Sequence, residues 1–222
     1  MKRMNGTPAK PRGRPRSFDR DIALERAMEV FWKLGFEGAS LHDLTEAMGI
    51  NPPSLYAAFG DKEHLFLEAV ERYQAKHGAA CPYTDAATAR EAVERLLTYT
   101  ANEFSKACNP RGCLMVMAAI TSSTSSAKLQ SALAESRAAG RARLKARIDQ
   151  GLKDGELPRG TDTGALADFY ATILSGMSLQ ARDGATRKRL LATVAGAMRA
   201  WPDRPARASK RLTQKPVASP RM

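Results

Sequence analysis

Residues 40–59, SLHDLTEAMGINPPSLYAAF, decide how this chain reads. Ser40 stands where an N-cap belongs, and Leu44 and Met48 follow it at helical spacing. Gly49 is the residue a tight turn needs. Asn51 caps a second segment that opens with Pro52 and Pro53, and proline is tolerated in a first turn because its missing N–H has no intrahelical partner there. Two short helices, Leu41 to Met48 and Pro52 to Phe59, joined by a glycine turn have the spacing of a helix-turn-helix. The second helix of such a unit enters the major groove of DNA by its N-terminal end, while amides and small hydroxyls hold phosphates. Leu44, Met48, Leu55 and Phe59 form the small core behind it.

Outward from this unit the apolar pattern stays helical. A helix from about Asp19 to Leu34 places Leu24, Ala27, Met28, Phe31 and Leu34 on one face and stops at Gly35. Another runs from about Asp61 to His77, and Gly78 to Tyr83 breaks the pattern as a domain boundary. Beyond it, Val93, Leu96, Leu97, Thr100 and Phe104 mark a helix from about Thr84 to Ala107, closed by Asn109-Pro110. A short apolar helix, Cys113 to Thr121, and a serine-rich turn over 121–126 lead into a long helix from Ala127 to Lys153. Two further helices are marked by Leu166, Phe169, Tyr170, Ile173, Leu174 and Met177, and by Leu190, Leu191, Val194, Met198 and Trp201. No run alternates with period two, so the expected fold is all-α with about nine helices. The last two, with small residues such as Gly176 and Gly196, suit half of a four-helix dimer interface.

The chain has 222 residues, 35 Lys+Arg against 23 Asp+Glu and a formal charge of +12. Residues 1–16 carry six basic side chains and no acid, and residues 203–222 carry six against Asp203 alone, which leaves a near-neutral body. Both ends lack a hydrophobic period and are expected to be disordered, as a basic arm over 1–17 and a basic tail over 203–222. Such charge fits a polyanion, nucleic acid first. Within the arm, RGRPR sets Arg12, Arg14 and Arg16 on alternate positions of an extended strand, a form that fits the narrow minor groove of A·T-rich DNA. The absence of a long apolar run excludes a membrane span, and the lack of an apolar leader makes the cytoplasm the expected location. Three cysteines are too few for a disulfide scaffold.

The stretch from Phe18 to Phe66, centred on FWKLGFEGASLHDLTEAMGINPPSLYAAFGDKEHLF, resembles the DNA-binding domain of TetR/AcrR transcriptional regulators. The resemblance rests on the helix ending in Gly-Phe, the SLHDLTEAMGI unit, SLYAAF, and the DKEHLF that opens the next helix. It implies a helix-turn-helix domain over 18–78 and a helical effector-binding and dimerisation domain over 79–202. It further implies that Asn51, Pro52, Pro53 and Ser54 open the recognition helix, that Tyr56 and Lys62 meet phosphates, and that Ser40 and His42 contact DNA from the preceding helix. Ala57 and Ala58 depart from the larger side chains many members carry, so thymine methyl contacts and DNA shape are expected to bear more of the specificity.

The resemblance also implies a homodimer through the last two helices, a double-stranded operator, and a small-molecule effector that changes the spacing of the two DNA-binding heads. Cavity candidates are Tyr99, Phe104, Met115, Met117, Phe169, Tyr170 and Met177. In CNPRGC, residues 108–113, Cys113 is expected to start a helix whose dipole favours thiolate, with Arg111 adding positive charge, which suits a cysteine switch. The rival without an effector is an architectural protein that coats DNA through both basic ends. His77 and Cys81 do not amount to a metal site. Ser125 and Lys128 match Ser-x-x-Lys without its partner motifs, and nucleotide and dinucleotide fingerprints are absent, so neither an enzyme nor a cofactor is expected.

Overall fold

The computed structural model describes residues 18–78, 85–121 and 127–202. Among them are nine α-helices and one π turn, with no strand. The helices are α1 (Arg20–Gly38), α2 (Leu41–Met48), α3 (Pro52–Phe59), α4 (Lys62–Tyr73), α5 (Ala89–Phe104), α6 (Leu114–Thr121), α7 (Ala127–Lys153), α8 (Thr163–Arg182) and α9 (Arg187–Met198). The π turn, Gln74–Gly78, continues α4. Arg12, Arg14, Arg16, Cys81 and most of the serine-rich turn lie outside the described residues, as do both expected basic ends.

The caps are local and follow the residue types. Asp19 accepts the backbone N–H groups of Asp21 and Ile22 at 2.9 and 3.1 Å and so starts α1. Ser40 and Asp43 form a reciprocal capping box on α2, and Gly49 closes that helix in the left-handed region at φ 68°. Asn51 Oδ1 accepts the Ser54 N–H at 2.9 Å and opens α3 with both prolines in its first turn.

Two positions depart from the sequence reading. Gly35 leaves helical geometry at φ 75°, but one more turn follows it before α1 ends at Gly38. Leu34, at the edge of the apolar face, is 39% exposed. Trp32, four residues after Met28, takes the inner place instead and is buried. The α5 helix is also shorter than the expected span from Thr84 to Ala107: Thr88 caps its start by accepting the Glu91 N–H, and it ends at Phe104.

Two apolar clusters hold the molecule. The first joins α1–α4, with Phe66 set edge-on to Phe31 at 5.1 Å and to Phe36 at 5.3 Å. It also includes Leu114 and Ala118 of α6 and Leu129 and Leu133 of α7. The second joins α5, the far half of α7, α8 and α9 around Tyr170, Met177 and Trp201. The break after His77 therefore does not divide the packing, since α6 and the start of α7 are built onto the first unit.

Candidate nucleic-acid interface and ligand cavity

The helix-turn-helix is locked from behind by Arg20. Its guanidinium reaches both Glu68 oxygens at 2.7 Å and donates to the Ala58 carbonyl oxygen at 3.3 Å. It also lies 4.4 Å from the Phe59 ring centroid. One side chain thus joins the start of α1, the C-terminal end of α3 and the middle of α4, which sets how α3 projects.

On the outer side His42, Asn51, Pro52, Pro53 and Ala57 are exposed, and Tyr56 is 47% exposed although it is a large aromatic residue. Ser54 is half-buried at the start of α3. Ser40 is exposed, but its hydroxyl is engaged in the capping box with Asp43. His42 makes one loose contact, 3.7 Å to Glu46. Lys62 opens α4 with its ammonium 4.5 Å from the Phe36 ring centroid, and burial lowers its pKa against the opposing charge of Glu37. Ser40, His42, Asn51, Pro52, Pro53, Ser54, Tyr56 and Lys62 therefore occupy or flank the first turns of α2, α3 and α4. There, the free amides that open α2 and α4 and a phenol and ammonium suit phosphate oxygens, while α3 offers no free amide because Pro52 and Pro53 lack an N–H and Asn51 takes that of Ser54.

A cavity of about 300 Å³ lies between the two apolar clusters. Trp32, Tyr73 and His77 form the wall nearest the helix-turn-helix, with Tyr73 4.9 Å and His77 5.2 Å from the Trp32 ring. Burial pushes the Tyr73 phenol well above the usual tyrosine range, and the neighbouring Cys113 thiol adds to the shift. Burial lowers the His77 pKa, with Lys76 next in effect. The far wall comes from α5, α7 and α8, where Tyr99, Phe104, Leu144 and Leu174 are the larger apolar members and Arg137 a polar one.

The expected ligand residues divide. Tyr99, Phe104, Met115 and Cys113 line this cavity. Met117, Tyr170 and Met177 do not; each is at most 2% exposed in packed surroundings, and the Tyr170 hydroxyl donates to the Ala197 carbonyl oxygen at 3.3 Å. Phe169 points out of the fold at 39% exposure. Position along a helix does not say which neighbour each face meets, and α8 packs against α5, α6, α7 and α9. The sequence reading missed Trp32, His77 and Arg137. A signal for the second was present, because Tyr73 and His77 are one helical turn apart.

Cys113, expected as the first residue of that helix, directly precedes α6 and is half-buried, while Cys108 is exposed. Its N–H donates to Ser178 Oγ at 2.7 Å. Arg111, expected beside the thiol, turns instead to the Ala185 carbonyl oxygen at 3.5 Å, because the chain bends at Gly112 with φ 86°. Among the described residues no group of three His, Cys, Asp or Glu side chains could hold a metal ion, and no helix is long and apolar enough to cross a membrane.

The comparisons with known proteins agree with this arrangement. The family model described as "Bacterial regulatory proteins, tetR family" matches residues 23–69, and that described as "Tetracyclin repressor-like, C-terminal domain" matches residues 89–194. The HTH-type transcriptional repressor ComR of Escherichia coli (strain K12) is 37% identical over 198 residues, spanning 87% of this chain and 94% of that protein. BdcR of the same organism, also an HTH-type transcriptional repressor, is 32% identical over 187 residues, spanning 82% of this chain and 89% of that protein. A cysteine mutant of the TetR family transcriptional regulator CifR, solved in complex with 26-base-pair double-strand operator DNA, superposes with a TM-score of 0.83 at 50% identity. It covers 86% of this chain and all of the solved one. With a helix-turn-helix locked by Arg20, a helical second unit and full-length relatives of this kind, the chain belongs to the TetR family of transcriptional regulators.

Proposed function

We propose that this protein is a homodimeric repressor that binds a palindromic DNA operator and is released from it by a small molecule in the cavity or by modification of Cys113. The observation that carries the reading is the position of the cavity. Its wall is shared by Trp32 and Tyr73 of the DNA-binding head and by Leu174 of α8.

Support for the dimer comes from α8, where Phe169, Thr172, Gly176 and Leu179 recur at intervals of three and four on its exposed side. Phe169 and Leu179 are 39% and 44% exposed. Such a stripe, with nothing within 4 Å of a Cβ built at Gly176, suits close approach of a second copy. Two recognition helices must then reach successive major grooves about 34–36 Å apart. A ligand that binds better when the heads sit at another spacing lowers operator affinity by its differential binding.

The test is selection of bound fragments from random-sequence DNA at near-physiological salt, repeated after Cys113 is alkylated. Recovery of one palindrome with half-sites one helical turn apart, and its loss on alkylation of the wild type but not of Cys113→Ser, is the expected result. Equal binding to all fragments would favour the architectural alternative and overturn the repressor reading.

A further inference from the structure

The cavity wall carries an imbalance of charge that the described residues do not neutralise. Arg137, Arg141, Arg143 and Glu103 are its formally charged members. Glu103 is paired with Lys106 at 2.5 Å, and Arg141 is held by both oxygens of Asp168. Arg137 and Arg143 make no ion pair among the described residues; the single bond of Arg137 runs to the Met115 carbonyl oxygen at 3.4 Å. Arg143 is exposed and solvated, so the half-buried Arg137 is the guanidinium left beside the apolar cavity without a counter-ion from the described residues.

The wall opposite Arg137 is the π turn, whose His77 imidazole lines the cavity with its ring while its Nε2 atom is closed off by the packing. The imidazole is placed by its packing against Trp32 and Tyr73, at 5.2 and 4.6 Å between ring centroids. It sits in the π turn at the end of α4, and irregular turns of this type recur at functional sites. Met115 links the two features. Its sulfur receives the Gln74 amide of the same π turn at 3.3 Å, and its carbonyl oxygen receives Arg137.

We infer that the effector is a small organic carboxylate with an apolar body. Arg137, aided by Arg143, takes the carboxylate, and the body lies against Trp32, Phe104, Leu144 and Leu174. Guanidinium suits this task because its planar fork matches two carboxylate oxygens. The volume of about 300 Å³ admits one aromatic ring with a short side chain. A cationic ligand would meet unneutralised arginine, and a neutral one would leave the Arg137 cation without a counter-ion. The assignment rests on the cavity being the effector site.

Calorimetric titration of the full chain with phenylbutyrate, phenylbutyramide and phenylbutylamine separates the cases, since the three share one shape and differ in charge. The carboxylate is expected to bind at least about tenfold more tightly than the amide, and the amine least. Arg137→Gln is expected to erase the preference for carboxylate over amide while amide binding stays unchanged, and Arg143→Gln to reduce it. Equal affinity for amide and carboxylate, preference for the amine, absence of carboxylate binding up to millimolar levels, or discrimination that survives both arginine substitutions would overturn the inference.

Anisotropy of the selected operator DNA distinguishes this failure from failure of the effector reading. Carboxylate binding that depends on Arg137 but leaves DNA affinity unchanged keeps the ligand class and removes its regulatory role. Release of the DNA by uncharged molecules alone keeps the regulatory role and removes the class.

Discussion

The indole N–H of Trp32 donates to the carbonyl oxygen of Gly112 at 3.0 Å. Trp32 belongs to α1 of the DNA-binding head, and the next residue after Gly112 is Cys113, whose N–H donates to Ser178 on α8. Two neighbouring backbone groups thus bind the head on one side and the proposed dimerisation helix on the other. Both Trp32 and Cys113 line the cavity, so a ligand there would touch the head end and the middle of the connection. Coupling between cavity and head then has a short covalent and hydrogen-bonded route rather than a long path through side chains.

Trp32→Phe keeps an aromatic ring against Tyr73 and deletes the indole donor. A buried carbonyl left without its partner costs about 1–3 kcal/mol, which urea unfolding would read as a lower midpoint with an unchanged slope. Operator affinity without ligand is expected to stay near that of the wild type, while ligand-induced release weakens. A variant with wild-type stability and wild-type release would show that the bond does not couple the two units.

Gly112→Ala tests the same junction sterically. A Cβ at this position would lie 2.7 Å from the Ser178 carbonyl oxygen, in a backbone conformation at φ 86° that favours glycine. Strain of about 1–3 kcal/mol from the backbone alone is expected, with the clash added to it. Gly78→Ala, where a Cβ would meet nothing within 4 Å, is the control and should change thermal stability little.

Lys62→Gln removes one cation at the start of α4 while keeping a long side chain. Uniformly weaker binding to all DNA sequences is expected, with the slope of log affinity against log salt reduced by about one. Tyr56→Phe should weaken binding while leaving the salt slope nearly unchanged, because a phenol contributes a hydrogen bond and no charge. An unaltered slope for Lys62→Gln would remove that residue from the phosphate contacts.

Stability should fall in acid partly through Glu25. Burial tends to raise its pKa, but hydrogen bonds and charge from Lys76 and Arg72 outweigh that effect and hold it below the ordinary value. These bonds tie α1 to α4 and its π turn, with Arg72 Nε 3.2 Å from Glu25 and the Lys76 ammonium on its other oxygen. A carboxyl with a depressed folded pKa stabilises above its unfolded pKa of about 4.3, and the contribution is lost as pH falls through the folded value. Urea unfolding between about pH 5 and pH 3 should therefore show a smaller loss for Glu25→Gln than for the wild type. Equal losses would assign the acid sensitivity to other carboxylates.

What was legible in the amino-acid order was set by contacts three or four residues apart. Ser40, Asn51 and Gly49 bound their helices as their types require, and α2, α3 and α7 begin and end where the pattern says. The helix-turn-helix was readable for the same reason, since its turn, caps and core lie within 20 consecutive residues. The cavity was readable only in part. Tyr99, Phe104 and Cys113 face it, but Tyr170 and Met177 went to the core and Phe169 to the exposed side of the same helix. A helical period identifies an apolar face without naming what that face meets, and α8 meets a core, a cavity and solvent. Trp32, His77 and Arg137 come together across more than 100 positions of sequence. Helix ends are determined by backbone groups that need a partner within one turn, whereas a cavity is determined by where several helices fail to fill the space between them. Only their packing in three dimensions decides that.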